Sequence, residues 1–191
     1  MKKTYIIIHG LNGSPKGHWQ HWLYEKLKNN NENVIFPQFL NNSKPDLKVW
    51  LKTLHTTLQN IHNEKIIICH SLGVILWFHY SMKYNIENVK YLLLVAPPGT
   101  EALKNIKELN SFKEIKLNKN QILNSAKHIR LVATENDEYC KEGAINLYAK
   151  KLNIDYDILP PEKGHINIET GYGEWKSVYA WCYNQEIRIK E

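Results

Sequence analysis

Short runs of apolar, often β-branched residues alternate along the chain with longer stretches whose apolar positions recur every three or four residues. The first pattern reads as buried strands and the second as amphipathic helices. Strands are predicted over 5–9, 34–36, 65–69, 91–95, 129–133 and 156–159. Helices are predicted between them over 19–29, 45–61, 72–84 and 141–152, with a last one over 173–184. In the second helix Leu47, Trp50, Leu51, Leu54 and Leu58 share one face, and Pro45-Asp46 supplies the start signal. The strand candidates are almost continuously apolar, as expected of a sheet covered on both faces. Strand and helix in alternation predict an α/β domain with a mostly parallel central sheet and helices on both sides.

The stretch 100–127 breaks this rhythm, being polar and Lys-rich with scattered Leu, Ile and Phe. It reads as a surface connection in preference to a small cap over the site. With no repeats, low-complexity tracts or linkers, the 191 residues are expected to form a single domain. Apolar residues at 43% and charged residues at 23% are those of an ordinary globular protein, long enough to bury a core without disulfides. No apolar run has the length of a membrane span, so no membrane association is expected. After Met1, Lys2 and Lys3 the apolar run is too short for a signal peptide. Cys69, Cys140 and Cys182 are an odd number without close pairs, which fits a reducing, cytoplasmic setting better than a disulfide framework or a zinc site. The net charge is +6, but the lysines are scattered, so a nucleic-acid partner is not expected.

Candidate chemistry centres on Cys69-His70-Ser71-Leu72-Gly73, where a β-branched run stops and a helical pattern begins. A strand, a sharp turn carrying a lone Ser, and a helix make a nucleophile elbow. The elbow pattern is G-x-S-x-G, and here Cys69 takes the first glycine position. On its own, Ser71 reads more readily as a buried residue or an N-cap of the helix that follows than as a nucleophile. Order along the chain favours the reactive reading. The predicted strand 129–133 leads into a loop with three acids, Glu135, Asp137 and Glu138. The strand 156–159 leads into Gly164-His165. Ser, then acid, then His, each after a strand, is the order of an α/β-hydrolase. His9-Gly10-Leu11 after the first strand suits an oxyanion hole made of backbone N–H groups, Leu11 from this turn and Leu72 from the elbow, with Asn12 as the alternative to Leu11. The glycine-rich turn matches neither phosphate-loop nor dinucleotide spacing, so no cofactor is expected. His18 and His21 have helical metal-ligand spacing but no third ligand, and no metal is expected. His70 reads as structural. Trp19, Trp22, Trp175 and Trp181 suit an aromatic pocket or, more commonly, the core.

Several of these segments recur together. The chain resembles the small serine hydrolases typified by retinoblastoma-binding protein 9 and the bacterial YdeN-like proteins. The resemblance rests on His9-Gly10, Gly13-Ser14-Pro15, His18-Trp19-Gln20-His21-Trp22, His70-Ser71-Leu72-Gly73, Asn136-Asp137, Gly164-His165-Ile166-Asn167 and Gly171-Tyr172-Gly173-Glu174-Trp175. It implies a minimal α/β-hydrolase fold with Ser71, Asp137 and His165 as the catalytic residues. Cys69 departs from the family's glycine, and Glu138 stands where Pro is common. A serine hydrolase acting on small-molecule acyl esters is therefore expected. The competing classes are a non-catalytic binding module for a protein partner and an acyltransferase with the same triad.

Overall fold

The computed structural model describes residues 3–114 and 117–191. Met1 and Lys2, part of the basic start, and Ile115 and Lys116, inside the 100–127 stretch, lie outside the described residues. Six strands form one sheet: β1 Lys3–Ile8, β2 Asn33–Ile35, β3 Glu64–His70, β4 Val89–Val95, β5 His128–Thr134 and β6 Asp155–Leu159. Their order is β2-β1-β3-β4-β5-β6, and every pairing is parallel. The helices are α1 Trp19–Asn29, α2 Leu47–Gln59, α3 Leu72–Lys83, α4 Thr100–Asn105, α5 Lys119–Leu123, α6 Lys150–Leu152 and α7 Lys176–Tyr183.

Because successive strand side chains point to opposite faces, the continuous apolar runs feed two cores. Tyr5, Ile7, Ile66, Ile68, Leu93 and Val95 pack against α1 and α7 on one face. Ile6, Ile8, Ile67, Cys69, Leu92 and Leu94 pack against α2 and α3 on the other. The chain leaves β1 toward β2 and later returns to the opposite side at β3, so the order reverses between β1 and β3. Their carboxyl ends lie side by side, Ile8 opposite Cys69. A crevice opens at such a reversal, and ligands of open α/β sheets bind there.

Local signals set most boundaries. Asp46 caps α2 by accepting from Val49 N–H at 2.9 Å. The helix expected from residue 141 begins only after Gly143, whose φ of +77° lies in the left-handed region. It opens as a π turn, Ile145–Ala149, before continuing into α6. The last helix starts at Lys176 rather than 173 because a capped turn, Ile168–Thr170, precedes it.

The 100–127 stretch is more than a surface connection. Leu103, Leu109, Phe112 and Ile122 are buried in the α2–α3 core, with Phe112 edge-on to Trp50 at 5.6 Å. The rest of its described residues are largely exposed, which explains the polar composition. No helix among the described residues is long and apolar enough to cross a membrane.

Candidate active site

β3 ends at His70 and α3 starts at Leu72, leaving Ser71 at φ 53°, ψ −124°. For a residue with a Cβ this is strained backbone, and the surroundings must hold it. Ser71 N–H donates to Val95 O at 2.9 Å, and Ser71 O accepts from Val74 N–H at 2.9 Å. The β1 turn presses on the elbow from above. A Cβ at Gly73 would lie 2.5 Å from Ile8 O and 2.7 Å from His9 O, and one at Gly10 would lie 2.8 Å from Ser71 Cβ. Glycine is thus required at these two points by close approach of backbone. Cys69 meets no such demand. It is buried in β3 between Ile8 and Leu94, and burial pushes its thiol well up, keeping it unreactive.

The hydroxyl lifted by this turn is not used as a helix cap. Ser71 Oγ instead lies 2.8 Å from His165 Nε2. The other ring nitrogen, Nδ1, is 2.8 and 3.0 Å from the two carboxylate oxygens of Asp137. Nδ1–H therefore donates to Asp137, leaving Nε2 free to accept from the Ser71 hydroxyl. Asp137 is 4% exposed and also accepts from Tyr139 N–H at 2.9 Å, whereas Glu135 and Glu138 are exposed. The His165 loop is tied down by Thr134 Oγ1, donating to Gly164 O at 2.6 Å, and by Trp19 Nε1, donating to Ile166 O at 3.0 Å. His70 Nε2 donates to His165 O at 3.0 Å. Burial, then the neighbouring His18 and His165, holds His70 far below the usual imidazole range. Its role is to brace the loop as a neutral donor.

The backbone donors are equally ordered. Asn12 N–H is committed to Asn42 O at 2.8 Å, which removes it as the alternative to Leu11. The N–H groups of Leu11 and Leu72 have no acceptor among the described residues. His9 accepts from Phe39 N–H on Nε2 at 3.3 Å, so its Nδ1–H donates to Gly10 O at 2.8 Å. Gly13 N–H also reaches Gly10 O, at 3.2 Å. Fixing that carbonyl fixes the same peptide's Leu11 N–H, which points the opposite way.

These groups border a cleft of about 260 Å³. It is also lined by Ile106 and Leu109 from the 100–127 stretch, by Tyr139 and by Asn167. The sequence assigned these four no role: Ile106, Leu109 and Tyr139 have no distinguishing local pattern, and Asn167 entered only as the end of the Gly164-His165 segment. The Tyr139 ring sits 4.5 Å from that of His165. Trp19, Trp175 and Trp181 are core residues, and no Trp lines the cleft. His18 borders the cleft, but it and His21 join no group of three metal-ligating side chains among the described residues.

The Ser71 hydroxyl, paired with His165, thus lies beside the reversal of strand order, where ligands of open α/β sheets bind. The pattern of the family described as serine hydrolase matches residues 5–184. The chain belongs to the serine hydrolase family. It is 27% identical to the YdeN protein of Bacillus subtilis over 188 residues, covering 94% of each chain. The crystal structure of that ydeN gene product superposes with a TM-score of 0.81 at 23% identity, over 96% of this chain and 97% of that one. A YdeN-like protein from Pectobacterium atrosepticum gives 0.73 at 22% identity, covering 98% and 93%. The esterase domain of a Rhodothermus marinus protein gives 0.63 at 12% identity, covering 95% and 86%. This YdeN-like serine hydrolase thus has the α/β-hydrolase fold in a short form.

Proposed function

We propose that this hydrolase cleaves small acyl esters, with Ser71 as nucleophile, His165 as general base and acid, and Asp137 as the group that orients the imidazole. The observation that carries the reading is the unbroken hydrogen-bond chain from Ser71 Oγ through His165 to buried Asp137. In the first half-reaction His165 Nε2 takes the hydroxyl proton as Ser71 attacks the acyl carbonyl carbon. Asp137 stabilises the imidazolium that forms. The N–H groups of Leu11 and Leu72 stabilise the developing oxyanion, and α3 adds the favourable field of its N-terminus. His165 then protonates the departing alcohol, leaving an acyl-Ser71 ester. Water, deprotonated by the same nitrogen, hydrolyses that ester and frees Ser71. The cleft volume suits a short acyl chain, and no cofactor enters any step. The esterase domain among the fold neighbours is consistent with this chemistry. Three buried, unpaired cysteines support a reducing compartment such as the cytoplasm.

The test is intact-mass analysis after treatment with a fluorophosphonate probe. Wild type should carry one adduct and Ser71→Ala none, while hydrolysis of short acyl esters by the variant falls by about 10⁴-fold or more. A folded wild type without an adduct would sink the proposal.

A further inference from the structure

The sheet divides the cleft into two unlike walls. Leu11, Leu72, Ile106 and Leu109 belong to the α2–α3 core and make one wall apolar. The opposite wall grows from segments packed on the α1–α7 core, next to Trp19 and Ile166, and presents the polar groups of His18, Asn167 and Glu169 between Pro15 and Ile168. A uniformly apolar ester leaves the polar groups of the second wall without a partner.

His18 is the most constrained group on it. The side chain is 4% exposed. Its Nδ1 caps α1 by accepting from Gln20 N–H at 3.1 Å, which leaves the proton of the neutral ring on Nε2. Nε2–H has no acceptor among the described residues, and it is the polar atom that this cleft-lining ring offers to a ligand. The donor is not sealed off in the interior but reaches the cleft, where water accepts from it until a ligand oxygen takes its place. The ring cannot easily turn away. Gln20, fully buried, is locked by Ser14 Oγ at 2.7 Å and by its own donation to Ile8 O at 3.1 Å. Burial, with smaller effects from His165 and His9, pushes His18 down to about 4, so it remains a neutral donor at physiological pH.

We propose that His18 is a substrate-binding residue that donates from Nε2 to an oxygen in the alcohol portion of the ester, and that the substrates are short-chain acyl esters of hydroxylated alcohols. The acyl chain lies on the apolar wall and the hydroxylated portion on the polar one. This rests on the ester-hydrolase reading, which the fluorophosphonate adduct tests separately.

The probes are glycerol 1-monobutyrate and n-propyl butyrate, which share the acyl group and the three-carbon alcohol and differ only in two hydroxyls. Wild type should favour the glycerol ester in kcat/KM by about tenfold, the range expected for one well-placed hydrogen bond. His18→Asn keeps an oxygen that can cap α1 but is too short to place a donor in the cleft. In it the ratio should fall to about twofold or less, chiefly through KM for the glycerol ester, with the Ser71 adduct and cooperative unfolding retained. His18→Ser gives the same test through a second capping residue. A wild type that does not discriminate, a preference surviving in both variants, or a labelled wild type that hydrolyses neither ester would each overturn the inference. An unlabelled wild type would overturn the parent reading with it.

Discussion

The elbow at Ser71 and the stretch 100–127 border the same cleft but are held in opposite ways. At the elbow, backbone packs on backbone. Gly73 and Gly10 admit β1 to within contact of the turn, and Ser71 keeps a strained conformation because hydrogen bonds to β4 and α3 over-determine it. In the other region no backbone ladder does this work. Among the described residues, two short helices and a 3-10 turn hang chiefly on the buried side chains of Leu103, Leu109, Phe112 and Ile122, while most of the surface stays wet. Position is thus fixed by many small constraints at Ser71 and by a few side-chain anchors at the wall. The first arrangement suits a group that must sit within a fraction of an ångström. The second suits a surface that only has to exclude water and present Ile106 and Leu109.

The contrast can be broken most severely at Gly73. In Gly73→Ala the new methyl meets carbonyl oxygens of β1, which cannot swing aside as a side chain tip would. We expect about 3 kcal/mol of lost stability and, in the protein that still folds, an at least about 100-fold lower rate of the proposed ester hydrolysis as Leu72 N–H and Ser71 shift. Urea unfolding and kcat/KM measure both. Phe112→Ala should instead cost about 3–5 kcal/mol of stability, with kcat in the folded fraction changed by less than about fivefold. A large kcat loss there would mean that the wall also positions the nucleophile.

Acid sharpens the contrast further, each buried histidine on its own having a smaller effect. Burial holds His9, His18 and His70, all beside the elbow, below the ordinary imidazole value. For such groups the unfolded chain binds the proton more readily than the folded one. Stability is therefore complete above about 6.5 and declines as the pH falls toward the folded value, about 4 for His18. Each histidine contributes a slope of up to about 1.4 kcal/mol per pH unit within its window. Urea midpoints from pH 7 to 5 should fall, and replacing His18 with Asn should flatten the curve.

Much of this was legible in the chain. The six strands appear where short apolar runs predict them, because the inner strands β1, β3, β4 and β5 are largely covered on both faces, whereas the edge strand β6 leaves Tyr156 and Ile158 exposed. Ser71 and His165 could be found by order alone. Asp137 could not be separated by pattern from Glu135 and Glu138, since loop acids look alike until one is buried against an imidazole. The resemblance to YdeN-like proteins supplied that choice in advance, and the contacts of Asp137 give its physical basis. The four tryptophans were ambiguous for a related reason. A large amphipathic ring suits a pocket or a core, and only the packing of Trp19 on Trp175, ring centres 5.1 Å apart, assigns these two to the core.

Taken alone, the sequence determined what local forces determine: the alternation of strands and helices, the caps, the glycine turns and the serine between a strand and a helix. These follow from periodicity and backbone sterics, which act over a few residues. Tertiary structure alone decided why Asp137 and neither neighbouring glutamate is buried against His165, which histidine nitrogen holds a proton, and that a polar, poorly periodic stretch becomes a wall of the cleft. Each of those depends on groups brought together from distant parts of the chain. Asp137 and His165 are 28 residues apart, and His165 and Ser71 are 94 apart. Burial then turns their proximity into chemistry by removing the water that would otherwise keep them independent.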